Sequence, residues 1–211
     1  TIIGTGSGLS YAELGPTHYS FEDIAILRSL PGMNILAPAD SIELEAHLKG
    51  ALDSETSSYI RIGKKGEPGL MKKDAKMGIG RANMIREGTD VLIIGIGPIL
   101  AEAIKAADRA ELAGISVAVA SAGSIKPLDT VFMEEMSKRF RSWISLEEHS
   151  IVGGLGTALI EWTNEKVLSI HVRRLGMPDK FIHKLGSQEY MRSELGIDSD
   201  GIFQKILLAA E

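Results

Sequence analysis

Residues 91–98 have the sequence VLIIGIGP, an apolar strand that leads through a glycine turn into a helix. The apolar run over 91–96 predicts a strand buried on both faces, as in a parallel sheet. Pro98 suits the first helical turn, where its missing N–H would have no partner anyway. Apolar residues then recur at helical spacing, at Leu100, Ala103, Ile104, Ala107 and Ala110. A buried strand followed directly by an amphipathic helix is typical of an α/β fold.

The alternation of strands and helices continues on both sides of this stretch. Downstream, the pattern predicts strands at 116–120, 142–146 and 167–172, helices at 128–139 and 154–164, and a last helix capped by Asp198 or Ser199. Upstream, it predicts strands at 1–3, 34–37, 58–62 and within 80–85, a helix at 21–30, and a second helix capped by Asp40 or Ser41. This order predicts two three-layer α/β domains with mostly parallel sheets.

A lysine-rich segment separates the two predicted domains. Residues 64–76, KKGEPGLMKKDAK, contain five lysines, two glycines and a proline without helical or strand periodicity. We therefore predict a first domain at 1–66, a linker at 67–76 and a second domain at 77–211. The chain opens on an apolar strand that runs into a glycine loop, which rarely begins a fold. We expect the first domain to be truncated at its N-terminus.

Composition excludes several classes of protein. The chain has 23 Lys and Arg against 28 Asp and Glu, a net charge of −5 that disfavours nucleic acid and anionic membranes as partners. It has no cysteine, which removes thiolate chemistry and disulfides. The longest apolar run, 91–101, is shorter than the about 20 residues of a membrane helix. No signal peptide is recognisable, so we expect a cytoplasmic protein.

Two glycine patterns invite a phosphate-binding interpretation. Residues 95–97, GIG, lack the third glycine of a dinucleotide motif, because Leu100 takes its place. A tight strand-to-helix turn is the simpler interpretation. Residues 153–156, GGLG, precede a helix and could present N–H groups to an anion. Close packing of helix against sheet is the interpretation that we favour for this second pattern.

Histidines are the main candidates for acid–base chemistry. His18 follows Gly15-Pro16 on a loop just before a helix, where sites of parallel sheets are usually built. A single histidine without an orienting partner is nevertheless more often structural. We interpret His149 as structural or interfacial and His47 as part of a solvated helix face. His171 and His183 are too far apart for a metal site, so we predict no metal.

Eight segments, in order along the chain, resemble the transketolase family. They are 8–18 (GLSYAELGPTH), 22–25 (EDIA), 28–33 (RSLPGM), 37–40 (APAD), 59–61 (YIR), 147–156 (EEHSIVGGLG), 175–181 (LGMPDKF) and 186–189 (GSQE). The likeness is greatest to the C-terminal-half subunits of split transketolases. Deoxyxylulose phosphate synthases and the beta subunits of 2-oxoacid dehydrogenases are more distant relatives.

The resemblance implies a thiamine-diphosphate-dependent transfer of a two-carbon ketol unit between sugar phosphates. It places His18 at the cofactor and substrate, as a catalytic residue, and Arg61 at the substrate phosphate. The family aspartate that contacts sugar hydroxyls is Leu14 here, and the adjacent Glu13 is the substitute candidate. For Arg61, the alternative is a surface ion pair to Glu67 or another carboxylate.

The resemblance also implies that part of the site lies elsewhere. The Gly-Asp-Gly motif that holds the diphosphate and Mg²⁺ does not occur in this sequence, and the glutamate that activates the cofactor precedes Thr1 in the family. We therefore expect cofactor-binding residues upstream and on an N-terminal-half subunit or domain. A homodimer is expected as well, with 151–156 as a candidate seam, and the chain alone should be inactive.

Two other functions stay open from the sequence. The chain could belong to a related thiamine-diphosphate enzyme, either a deoxyxylulose phosphate synthase or an oxidative decarboxylase subunit. It could also be a non-catalytic assembly module that keeps the fold.

Overall fold

The computed structural model describes residues 1–64, 66–72, 75 and 77–211. Within these residues, two sheets with helices packed against them confirm the predicted α/β fold. The strands are β1 (Ile2–Thr5), β2 (Met33–Leu36), β3 (Ser57–Ile62), β4 (Asn83–Arg86), β5 (Val91–Gly95), β6 (Val117–Ser121), β7 (Ser124–Lys126), β8 (Ser142–Ser150) and β9 (His171–Met177). The helices are α1 (Asp23–Arg28), α2 (Ser41–Asp53), α3 (Leu100–Leu112), α4 (Thr130–Arg139), α5 (Leu155–Glu165), α6 (Gln188–Glu194) and α7 (Ser199–Ala210). In this described part, every helix is too short or too polar to cross a membrane.

The first sheet has the strand order β1-β3-β2-β7. The strands β1, β3 and β2 are parallel, and β7 pairs with β2 in the antiparallel direction. Because β7 follows β6 of the other sheet in the chain, the C-terminal part of the molecule completes the first sheet. Helix α2 covers one face and packs Ala51 against Leu36 and Ile60. Its N-terminus is capped as predicted, since the Asp40 carboxylate accepts hydrogen bonds from two backbone amides of the first turn.

The second sheet has the order β4-β6-β5-β8-β9 and is parallel except for β4 at its edge. Alternate residues of β5 enter different cores: Ile93 faces α3 and α7, whereas Leu92 and Ile94 face α4 and α5. Both faces are thus buried, which explains the continuous apolar run at 91–96. The predicted cap at Asp198 is confirmed, because its carboxylate accepts a hydrogen bond from Gly201 N.

Two strand predictions are wrong in their bounds. The predicted strand at 142–146 continues to Ser150, because its second half pairs with β9 as far as Met177. The predicted strand at 167–172 instead begins at His171. Val167 takes a left-handed conformation, with φ +54°, and Leu168 N donates to Thr163 O at 3.0 Å. These residues therefore close the end of α5 and are not part of the strand.

The prediction that His47 lies on a solvated helix face is wrong. Both His47 and Glu43, one turn before it, are fully buried. The segment around Ile79 covers this face of α2: a Cβ placed on Gly50 would lie 3.2 Å from the Ile79 side chain. Burial lowers the pKa of His47 to about 4, so the ring is neutral at physiological pH.

The predicted domain boundaries stay a prediction. Residues 73, 74 and 76 of the predicted linker lie outside the described residues. The described start of the linker is anchored to the first sheet, because Asp40 Oδ2 accepts hydrogen bonds from Leu70 N and Met71 N, both at 2.7 Å.

Candidate functional site

The candidate site is built on a loop, residues 6–20, that leaves the carboxyl end of β1. Gly8 and Ser20 close this 6–20 loop at its base by two reciprocal backbone hydrogen bonds of 3.1 and 3.3 Å. Between them lie two short 3-10 turns, Ala12–Leu14 and Pro16–His18, joined by Gly15. Gly15 has φ +79°, a conformation that favours glycine and allows the abrupt change of direction. In α/β folds, ligands bind at this carboxyl edge.

The structure brings Glu13 and His18 onto the same loop, and both side chains are exposed. Glu13 lies in the first 3-10 turn and His18 ends the second. The backbone N–H of His18 donates to Gly15 O at 2.9 Å, and its ring Nδ1 lies 3.0 Å from the hydroxyl of Thr17. An exposed imidazole at this position is free to bind a ligand or to move a proton.

Arg61 lies beneath the loop, with only 4% of its surface exposed. Its Nε donates to the Asp23 carboxylate, with a shortest distance of 2.8 Å. Its Nη2 donates to Ser20 O at 2.7 Å and to Glu148 O at 2.8 Å. The open alternative of an ion pair is therefore realised, but to Asp23 and in the interior. Nη1 is the guanidinium nitrogen without a hydrogen-bond partner among the described residues.

Asp23 and His149 extend this buried network. Asp23 also accepts a hydrogen bond from Tyr59 OH at 2.7 Å. His149 Nε2 accepts one from Ala25 N at 3.2 Å, so Nδ1 carries the proton and donates to Ser150 O at 2.8 Å. Burial, reinforced by the charge of Arg61, lowers the pKa of His149 to about 4. The structure thus supports a structural role for His149 within this chain.

The segment 153–156 packs against a buried side chain of the same chain, the carboxyl group of Glu147. Glu147 Oε2 accepts a hydrogen bond from Leu155 N at 2.7 Å, and Oε1 accepts one from Gly156 N at 2.9 Å. A Cβ on Gly154 would collide with this carboxylate. The N–H groups at the start of this helix therefore donate to a buried carboxyl group of the same chain, which agrees with the interpretation of close helix-to-sheet packing. Burial raises the pKa of Glu147 to about 7.

Sequence reasoning missed Glu148, which contacts the 6–20 loop directly. Its buried carboxylate accepts a hydrogen bond from Leu9 N at 3.1 Å and is paired with Arg192. Glu67 lies nearby, and burial together with the charge of Glu148 raises the pKa of Glu67 to about 7. The only sequence signal for Glu148 was the triplet Glu147-Glu148-His149, of which the sequence analysis weighed the histidine alone.

Pockets flank the loop on two sides. One of about 250 Å³ lies at the carboxyl ends of β2 and β3 and is lined in part by Asp40, Lys64 and Glu67. Two adjoining pockets of about 480 and 200 Å³ share Phe21, Glu22, Lys180 and Phe181 as lining residues. In the described part of the chain, no three His, Cys, Asp or Glu residues converge as a metal site would require.

Known proteins match almost the whole chain. The pyrimidine binding domain model of transketolase matches residues 1–67, and the transketolase C-terminal domain model matches residues 80–202. The apulose-4-phosphate transketolase of Phocaeicola vulgatus has a subunit that is 34% identical over 98% of this chain and 65% of its own length. The 1-deoxy-D-xylulose-5-phosphate synthase 1 of Geobacter sulfurreducens is 36% identical over 89% of this chain and 30% of its own length.

Solved structures agree with these matches. A split gene transketolase, described as an inactive beta4 tetramer, superposes with a TM-score of 0.86 at 30% identity, over 99% of this chain and 65% of that one. A transketolase variant from Pichia stipitis gives a TM-score of 0.76 at 20% identity over 99% of this chain and 29% of that one, which shows a common fold. The chain thus spans at most 65% of the length of these relatives. Since two family models match in the order that the sequence motifs predicted, the chain belongs to the transketolase family.

Proposed function

We propose that the chain is the C-terminal half of a thiamine-diphosphate-dependent transketolase that transfers a two-carbon ketol unit between sugar phosphates. The observation that carries the proposal is the match, along nearly the whole chain, to one subunit of a transketolase and to a split gene transketolase. The exposed His18 on an open carboxyl edge supports it, because a transfer site needs an accessible acid–base group there.

We propose that the cofactor is bound mainly outside this chain. The diphosphate requires a metal, and the described residues bring together no metal-binding cluster. We therefore propose that thiamine diphosphate and Mg²⁺ are bound mainly by an N-terminal-half subunit. The cofactor, when bound, supplies the carbon nucleophile that accepts the ketol unit. This chain would contribute the side chains that face the substrate.

His18 is proposed as the catalytic residue of this half. Its ring is exposed, and its only side-chain neighbour with a hydrogen bond is Thr17 in the described part of the chain. Both ring nitrogens can exchange roles between donor and acceptor, so the ring can bind a sugar hydroxyl and accept or return its proton.

Arg61 and Glu13 are proposed as substrate-binding residues. The guanidinium of Arg61 has one nitrogen, Nη1, left for a phosphate oxygen after its contacts to Asp23, Ser20 and Glu148. The carboxylate of Glu13 is exposed on the same loop as His18 and can accept hydrogen bonds from sugar hydroxyls.

The partners follow from the same proposal. We propose a homodimer of this chain combined with N-terminal-half subunits, and sugar phosphates as substrates. Residues 151–156 remain the candidate dimer seam, although their glycines also pack within the chain, Gly154 against Glu147 and Gly156 against Arg174. Because sugar phosphates are charged and do not diffuse through bilayers, we place the assembly in the cytoplasm.

A deoxyxylulose phosphate synthase is the second candidate, because such enzymes match this chain at up to 36% identity. That reaction uses pyruvate, whereas ketol transfer uses a ketose phosphate. A panel of pentose phosphates, pyruvate and branched 2-oxoacids separates the two reactions.

The decisive experiment uses the complete subunit, purified alone and with an N-terminal-half partner, thiamine diphosphate and Mg²⁺. We expect ketol transfer by the pair and none by the subunit alone. Turnover by the isolated subunit, or no turnover by the pair across the sugar-phosphate panel, would contradict the proposal. Saturable cofactor binding to the pair, measured by calorimetry and clearly tighter than binding to the N-terminal-half partner alone, would exclude a non-catalytic assembly module.

A further inference from the structure

The 6–20 loop belongs to the first sheet, but much of its support comes from the C-terminal part of the molecule. Near its start, Leu9 N donates to the Glu148 carboxylate on β8 at 3.1 Å. In its middle, Gly186 N donates to Ala12 O at 3.3 Å. At its end, the hydroxyl of Tyr19 donates to a backbone carbonyl of the segment that precedes α6.

Glu148 contacts the start of the loop directly and is linked to its end through Arg61. Its carboxylate accepts the hydrogen bond from Leu9 N near the start. Its backbone oxygen accepts from Arg61 Nη2 at 2.8 Å, and the same Nη2 donates to Ser20 O at 2.7 Å at the end. The loop also runs very close to this residue, since a Cβ on Gly8 would lie 2.5 Å from Glu148 Cβ.

The carboxylate of Glu148 is itself held in place by α6. Arg192 forms an ion pair with it, and Gln188 Nε2 lies 3.2 Å from Oε2. The side chains of Glu148 and Arg192 are only 8% and 12% exposed. A buried, paired carboxylate with several donors is a rigid anchor, because its charge-assisted hydrogen bonds are shorter and stronger than neutral ones.

His18 has no comparable anchor of its own. In the described part of the chain, its hydrogen bonds go to Gly15 and Thr17, which belong to the same turn. The position of the imidazole is therefore set by the contacts that hold the loop.

We propose that Glu148 is the positioning residue for His18, and that the C-terminal sheet thereby takes part in catalysis by fixing the active-site loop. This inference rests on the proposed function only for the role of His18. That β8 holds the loop is independent of the reaction.

The first test needs no activity. Amide hydrogen exchange of residues 9–18 is measured in the complete subunit for the wild type, Glu148→Ala, Glu148→Gln and the control Glu147→Gln. The control changes a buried carboxyl group at the adjacent position of β8, which accepts hydrogen bonds from α5 and none from the loop. We expect faster exchange in the loop for Glu148→Ala, a smaller increase for Glu148→Gln, which retains an acceptor oxygen, and no change for the control.

The second test measures kcat and KM in the assembled enzyme. Misplacement of a catalytic group by about 1 Å costs about a hundredfold, so Glu148→Ala should lower kcat by about tenfold to a hundredfold with little change in KM. In a His18→Ala background the same substitution should cost less than about twofold, since the effect acts through His18.

Two results would overturn the proposal. Unchanged loop exchange in Glu148→Ala would show that β8 does not hold the loop. Losses that multiply in the double variant would show that Glu148 acts independently of His18. If Glu148→Ala does not fold, Glu148→Gln gives the same two comparisons. An inactive wild-type assembly would instead refute the proposed function, and the exchange result would still decide whether β8 holds the loop.

Discussion

The edges formed by the carboxyl ends of the strands differ between the two sheets: one is covered by protein and the other is open, although both sheets have parallel strands at their centres. In the second sheet, the first part of the chain covers this edge: Gly97 N donates to Ala37 O at 3.1 Å, and Ser121 Oγ donates to the Glu43 carboxylate at 2.9 Å. In the first sheet, the 6–20 loop leaves Glu13 and His18 exposed. Ligands of α/β proteins bind at open edges of this kind. We infer that the first sheet carries the residues that contact substrate and that the second sheet holds them in place.

The acidic side chains show the same contrast. Glu43 and Glu147 lie fully inside the molecule and accept backbone hydrogen bonds from Ala39 and from the start of α5. Both therefore supply acceptors to backbone N–H groups that would otherwise lack a partner in the interior. The turn at 95–97 is closed as well, because the backbone N–H of Gly97 already donates to Ala37 O. Neither glycine pattern of the second sheet is available for a phosphate.

The largest effect is expected on the open edge. His18→Ala should lower turnover of the assembled enzyme by about a hundredfold to ten-thousandfold, the usual contribution of general acid–base assistance. Because the ring is exposed, the melting temperature should barely change. His171→Ala is the matched control, since His171 is an exposed histidine at the start of β9. Equal activity of the His18 variant and this control would remove His18 from the site.

Arg61→Ala tests whether Arg61 binds the substrate phosphate, stabilises the fold, or does both. Loss of a buried ion-pair partner leaves Asp23 uncompensated and should lower the free energy of unfolding by about 3–5 kcal/mol. If Nη1 binds phosphate, KM for phosphorylated sugars should rise by about tenfold to a hundredfold, while unphosphorylated analogues are hardly affected.

The control for this prediction is Asp23→Asn, which breaks the same ion pair and keeps the guanidinium. It should lose stability without a KM change that is selective for phosphorylated substrates. A uniform loss for both kinds of substrate in Arg61→Ala would mean that Arg61 is only structural.

Local sequence patterns predicted most of the fold because its strongest signals are local. The apolar run at 91–96 and the caps at Asp40 and Asp198 depend on neighbouring residues, and the structure confirms them. β7 depends on pairing with β2, about ninety residues away in the chain, so no local pattern announces it. His47 was misplaced for the same reason, since the segment that buries it comes from beyond α2.

The sequence located the candidate residues Glu13, His18 and Arg61, but it did not predict which of them are buried or what they contact. Glu13 and His18 lie on a loop whose glycine and proline are visible in the sequence. The buried half joins Arg61 to Asp23 and Glu148 across three separate elements. Such convergence depends on tertiary packing, which places the ion pair of Arg61 in the interior and with Asp23.

The closed edge can be tested through Glu43. Burial raises the pKa of Glu43 from 4.5 to about 7. The native state therefore binds a proton that the unfolded state releases between these two values, and stability should fall as the pH rises from about 5 to 7. Glu43→Gln removes the free-energy cost of ionising a buried carboxyl group. The variant should therefore be more stable than the wild type above pH 7, by at most about 3 kcal/mol.

Denaturant unfolding at pH 5 and pH 8 measures the effect. Glu45→Gln is the control, because Glu45 is exposed on the same helix and should show no pH-dependent difference from the wild type. A Glu43→Gln variant with the same stability difference at both pH values would show that Glu43 does not titrate in this range.

The smallest effect is expected at Glu13, on the open edge beside His18. Glu13→Gln keeps one acceptor oxygen and loses the charge, so KM for a hydroxylated ketose phosphate should rise about threefold to tenfold. A substrate analogue that lacks the contacted hydroxyl should be unaffected, because it makes no hydrogen bond to lose. If Glu13→Gln raised KM equally for the ketose phosphate and for the analogue, the carboxylate would stabilise the loop and would not bind the sugar hydroxyl.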